Sequence, residues 1–159
     1  MKKKMRRCSD MQKTIENIQK NRHNYYTQII KEIETYIYRE KRYNLNFSLA
    51  AVYAQDESVI EPSKLQDTVR KTDKVIKLSK NLCCIVYDST NMDNFVKTAE
   101  NSNKKLQQIY CHKNFFMSAA ESNEFNGNYL EMTNSLFERL EYAIENNLYN
   151  TVIYEEYII

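Results

Sequence analysis

The sequence predicts an α/β (α+β) domain: a mixed central sheet of about five strands, flanked by helices and preceded by an N-terminal helix. Three observations predict it. The hydrophobic period alternates along the chain between a helical repeat and short apolar runs of strand length. Two of those runs, Lys74–Leu78 and Leu82–Tyr87, are separated only by the polar turn Ser79-Lys80-Asn81 and read as a hairpin. Helices return between the remaining strands, which calls for a sheet with helices packed on it. At 159 residues and 42% hydrophobic content, the chain is one folded domain's worth.

Each element follows from its residues. From about Ser9 to Tyr43 the pattern is helical, with Tyr26, Ile29, Ile30, Ile33 and Ile37 on one stripe. "NLNFSLAAVYA" breaks that period with a continuous apolar run, read as a buried central strand near Phe47–Ala54. Pro62 opens a short helix ending near Val69. After the hairpin, Ser89, Thr90 or Asn91 caps a helix whose inward face holds Phe95, Val96, Ala99, Leu106 and Ile109. "NFFMSAA" is a strand, and "ESNEFNGNY" is a polar loop with the only glycine, Gly127. The last helix turns Leu136, Phe137, Leu140, Ala143 and Ile144 inward and Glu138, Glu141 and Glu145 outward. Asn147 is its candidate C-cap. "TVIYEE" closes as a short strand.

Composition narrows the chemistry. One Gly and one Pro exclude a phosphate-cradling P-loop or a dinucleotide fingerprint. Cys8, Cys83, Cys84 and Cys111 lack the paired spacing of a zinc site, and adjacent Cys83 and Cys84 fall on opposite faces of a strand. His23 and His112 are isolated surface histidines, and Cys111–His112 adjacency does not make a nucleophile–base pair. No metal or other cofactor is expected. No run is long enough to span a membrane, and "MKKKMRRCSDMQKT" has no apolar core of a signal peptide, so a cytoplasmic, reduced protein is expected.

The net charge of +2 conceals an asymmetry. Residues 1–43 hold twelve Lys/Arg against five Asp/Glu, a formal +7, and residues 44–159 are a formal −5. Intramolecular attraction, an acidic partner and nucleic acid all suit such a basic segment. A nucleic-acid arm would use Lys2, Lys3, Lys4, Arg6 and Arg7 on phosphates. A solvated helix face explains the same charges more simply, and nucleic acid is not the favoured partner.

"VRKTDKVIKLSKNLCCIVYDSTNMDNFVKTAENSNKKL", with Ala99-Glu100, resembles the stretch by which GGDEF domains enter their signature hairpin and leave through a long helix. "FFMSAAES" is similar to the family's next strand, retaining Ser118. "LFERLEYAIENNLYNTVIYEE" resembles its closing helix and strand, with Tyr142 and Asn150 in place. The likeness covers about residues 26–156, dividing the chain into a basic helical extension, 1–25, and a degenerate GGDEF-like domain, 26–159. It implies the GGDEF, or nucleotide-cyclase-like, fold. Active members make cyclic di-GMP from two GTP molecules.

The departures from that family remove its chemistry. The signature falls on Ser79-Lys80-Asn81-Leu82-Cys83, where Leu82 replaces a metal-binding carboxylate; hydrocarbon cannot ligate Mg²⁺. The family's partner Asp falls at Tyr53, with Asp56 close by. Its triphosphate-gripping Lys and Arg fall on Glu145 and Tyr149, and its substrate-base loop is shortened between Tyr53 and Arg70. Phosphoryl transfer depends on metal and cations, so the resemblance implies an inactive domain, not an enzyme, with a regulatory role through a protein partner or self-association. One motif survives. Arg70-Lys71-Thr72-Asp73, five residues ahead of the signature, matches the family's inhibitory Arg-x-x-Asp site, which makes Arg70 and Asp73 candidate cyclic di-GMP contacts. Lys71 or Lys74 is a candidate phosphate charge, and no further arginine is assigned.

Overall fold

A computed structural model describes residues 2–54, 59–111 and 113–154, with side chains from Asp10 onward. Cys8, Lys2, Lys3, Lys4, Arg6, Arg7, Asp56, His112, Glu155 and Glu156 therefore lie outside the described side chains. The elements run α1 (Lys2–Glu32), α2 (Glu34–Tyr43), β1 (Ser48–Ala54), α3 (Pro62–Gln66), β2 (Lys74–Ser79), β3 (Leu82–Tyr87), α4 (Phe95–Ile109), β4 (Phe115–Glu121), a 3₁₀ turn (Ser122–Glu124), α5 (Tyr129–Glu145) and β5 (Val152–Ile153).

The sheet order is β2-β3-β1-β4-β5, antiparallel throughout except for the parallel β4–β5 pair. β1 sits in the middle and is buried at all seven positions, as a run apolar on both faces requires. Alternation then sorts the core into two layers. Leu49, Ala51 and Tyr53 face α1 and α5, whereas Ala50, Val52 and Ala54 face α3 and α4. Cys84 joins the first layer and Cys83 the second, the opposite facing that their adjacency predicts. Burial pushes the Cys83 thiol up to about 12 and Cys84 higher, so neither is a nucleophile near neutral pH.

Several local readings shift. The N-terminal helix bends at Ile33 (φ −100°), yet the ladder continues on both sides through Ile33 N–H to Ile29 and Ile37 N–H to Ile33. Its buried stripe is Ile15, Ile18, Tyr25, Ile29, Ile33 and Tyr36, rotated from the predicted one, so Tyr26, Ile30 and Ile37 are only half-buried. α4 starts at Phe95 rather than at residues 89–91. The Asn91 side chain instead accepts from the N–H groups of Asp93 and Asn94, and Thr90 turns inward. Ile109, predicted inward, lies 37% exposed at the end of α4. Glu141, predicted outward, is buried against α1, where Arg22 and Gln19 donate to it. The C-cap of α5 is Asn146, one residue before the predicted Asn147, which follows it at φ 54° in the left-handed conformation.

Candidate functional site

Two corners of the sheet carry the residues of interest. At the first, the β2–β3 hairpin turns through Lys80-Asn81, with Ser79 opposite Leu82. Two-residue hairpin turns ordinarily need a positive φ. Neither Lys80 nor Asn81 adopts one; a register shift between Lys77 and Ser79 accommodates the twist instead. The turn's carbonyls are taken up internally. Asn81 O accepts from Ala54 N–H (3.1 Å) and Lys80 O from Ile60 N–H (2.8 Å).

Leu82 and Tyr53 are direct partners across β1 and β3, so their side chains leave the sheet on one face, toward α1. Leu82 is 1% exposed in the apolar layer. The Tyr53 ring lies 6.5 Å from Phe116, and its hydroxyl lies 3.4 Å from Thr14 Oγ1 on α1. α1 thus lies over the tip, leaving a cleft of about 390 Å³ lined by Asp10, Lys13 and Asn17 from the helix and Ser79, Lys80 and Asn81 from the turn. Leu82 and Tyr53 supply no carboxylate to a magnesium–triphosphate group, and Asp56 lies outside the described residues. The paired strand positions present a hydrocarbon and a phenol. No group of three or more His, Cys, Asp or Glu that could hold a metal occurs among the described residues. Glu145 and Tyr149 are both exposed, and neither supplies a cation. Asn150 is structural: at φ 57° it accepts from Phe115 N–H (3.1 Å) and donates to Asn114 (2.8 Å), fixing the chain into β5.

The second corner lies at the opposite end of β2 and β3. The Asp73 side chain is 2% exposed and both its oxygens are engaged. Oδ2 accepts from Arg70 N–H (2.9 Å) and Nε (3.2 Å); Oδ1 accepts from Arg70 Nη2 (3.1 Å) and Asp88 N–H (2.8 Å). Asp73 therefore closes the turn before β2 and aligns a guanidinium that is itself 56% exposed. Arg70 also donates to the Asp88 carbonyl. Arg39 on α2, which sequence reading passes over, pairs with the Asp88 carboxylate (3.1 Å) and lies over the Tyr36 ring. No local signal marks Arg39, because its partner is 49 residues away in sequence. Lys71 is exposed, whereas Lys74 is bound to Glu32 at 2.5 Å. Two guanidiniums thus converge on Asp88 at a rim open to solvent.

Comparison with known proteins supports the architecture. No protein-family model matches the sequence, and no curated protein matches it. Solved structures do. The GGDEF domain of YfiN (TpbB) from Pseudomonas aeruginosa superposes with TM-score 0.66 at 8% identity, over 77% of this chain and 90% of that one. The GGDEF domain of DgcB from Caulobacter crescentus, in complex with c-di-GMP, gives 0.58 at 9% identity over 77% and 85%. The P. aeruginosa diguanylate cyclase SiaD, in complex with its activator SiaC, gives 0.58 at 8% identity, over 96% of this chain and 74% of that one. The fold is GGDEF-like.

Proposed function

We propose that this chain is a catalytically inactive GGDEF-like domain with a regulatory or protein-interaction role in bacterial signalling, acting in the cytoplasm. One observation carries the reading. Tyr53 and Leu82 face each other across β1 and β3 at the positions where the family resemblance places its metal carboxylates, and both pack toward α1. Without those ligands, and with Glu145 and Tyr149 where phosphate-binding cations would stand, the tip lacks the charge neutralisation that phosphoryl transfer requires. A scaffold stripped of its chemistry acts through its surfaces. The SiaD–SiaC complex is a precedent for such a surface in a neighbour of this fold. Purified protein incubated with GTP and Mg²⁺ is expected to yield no cyclic di-GMP by liquid chromatography, and product formation would sink the reading.

The pairing of Arg39 and Arg70 at Asp88 favours a second reading, a cyclic di-GMP receptor using the Arg70–Asp73 corner. Arg70 makes the ligand contact in this reading, and Asp73, with its oxygens engaged, presents it. Calorimetric titration tests it: saturable binding to the wild type that is lost in Arg70→Ala is expected. No heat with folded wild-type protein rejects the receptor.

A further inference from the structure

Behind the Arg70 corner lies a buried polar cluster that the proposed function does not use. Glu121, at the end of β4, is fully buried on the α4 side of the sheet. Its Oε2 accepts from Thr90 Oγ1 (2.8 Å), and the side chain also accepts from the Glu124 N–H in a capping box on the 3₁₀ turn. Its Oε1, and the buried Oγ of Ser48 directly opposite on β1, have no hydrogen-bond partner among the described residues.

The charges facing Glu121 are predominantly negative. Glu124 from the 3₁₀ turn accepts from the Glu121 N–H, and Glu40 from α2 accepts from Ser122 and Tyr129. Arg139 of α5 is committed to Glu124 (3.2 Å) and the Ala119 carbonyl (2.6 Å), and Arg39 of α2 to Asp88. Tyr87 of β3 is buried and bonded to Ser102. No cation is left for Glu121 within this set. Burial first, with Glu124 and Glu40 adding to it against the opposing hydrogen bonds, pushes its carboxyl up to about 7.

We propose that Glu121 is a proton-operated latch on the Asp88–Asn94 connection, holding the Arg70 corner closed when protonated and promoting its opening when ionised. The path is short and covalently continuous. Thr90 binds Glu121 through its hydroxyl and Asn46 O through its N–H (3.2 Å). Two residues earlier, Asp88 holds Asp73 and Arg70 through its main chain. Between them Ser89 sits at φ 53°, a conformation that neighbouring contacts must hold in place. Thr90 and the 3₁₀-turn N–H groups serve one oxygen of an ionised Glu121, and the buried, unpartnered Oε1 is relieved by water. Water reaches it by lifting the exposed 91–94 segment and the residues joined to it.

The consequence for ligand binding rests on the receptor reading; the latch does not. Amide hydrogen exchange of wild type and Glu121→Gln between pH 5 and 7.5 tests it, with intrinsic exchange rates divided out. The opening constants at the Asp88 and Thr90 amides should rise about tenfold per pH unit below 7 in the wild type and stay flat in Glu121→Gln. The Val52 amide, in the central strand, reports global unfolding; its opening constant carries the same pH slope but should stay well below those of Asp88 and Thr90. Equal constants at all three would mean that no local opening occurs and overturn the latch. The ¹³C shift of the Glu121 carboxyl, read in the wild type, gives a check independent of the variant's folding. A midpoint near 7 is expected, and one near 4.5 overturns the latch. A pH-independent opening, or the same rise in Glu121→Gln, also overturns it. A latch that behaves as expected, without cyclic di-GMP binding, leaves it standing and rejects only the receptor.

Discussion

Leu82 and Asp73 show how differently two motif positions are used. Leu82 is sealed between Tyr53 across the sheet and α1, so truncation leaves a void that its strand neighbours cannot close. Leu82→Ala should lower unfolding stability by about 2–5 kcal/mol in urea denaturation. A change below 0.5 kcal/mol would mean that the tip is not packed as described. Asp73 accepts two main-chain N–H groups and one guanidinium, and Asn retains only one acceptor oxygen. Asp73→Asn should cost about 1–3 kcal/mol. Arg70→Ala, removing a side chain that is mostly in solvent, should stay within about 1 kcal/mol by the same measurement. Equal losses in the two variants would contradict a structural Asp73. The surviving Arg-x-x-Asp motif was legible as letters. The local pairing of its carboxylate with Arg70 is a reading the letters allow, but the Asp88 N–H that takes up Oδ1 was not legible, because Asp88 reaches it only after β2 and β3 pair.

At the scale of elements, α1 decides what the tip can do. The family resemblance begins near residue 26, so sequence reading separates residues 1–25 as a basic extension. The structure nonetheless buries Ile15 and Ile18 in the same layer as Leu82 and Phe137. Arg22 and Gln19 bind Glu141 on α5, drawing a glutamate that looks solvent-facing into the helix–helix seam. Ile18→Ala should therefore destabilise the whole domain by about 2–5 kcal/mol, whereas Gln12→Ala, on the exposed side, should be neutral within 0.5 kcal/mol. Chemical denaturation followed by circular dichroism separates the two, and a neutral Ile18→Ala would detach α1 from the core. The strands were legible because β-period runs bounded by polar turns leave few alternatives, and β3 keeps its predicted limits of Leu82–Tyr87. The start of α4 was not. Three capping residues in a row offered equal local signals, and the buried Glu121 claimed Thr90 for itself.

For the molecule as a whole, the buried carboxylate cluster fixes the sign of the pH dependence. Between about 4.5 and 7, unfolded Glu121 has released a proton that the folded protein keeps, so the folded state binds more protons and stability falls as pH rises. The contribution is fully present below 4.5 and is gone above about 7, where both states are ionised. Its slope is at most about 1.4 kcal/mol per pH unit. Glu32 works in the opposite direction. The Lys74 hydrogen bond and charge hold its carboxyl below the usual range, so its small contribution is present above 4.5 and is lost only at more acid pH. The two effects therefore occupy separate windows. Urea midpoints at pH 5.0, 6.0, 7.0 and 8.0 should decline in the wild type up to pH 7 and then level. In Glu121→Gln the decline should be absent over the same range. A wild-type midpoint that rises from pH 5 to 7 would mean that Glu121 is ionised in the folded protein, and that an unseen neighbour balances its charge.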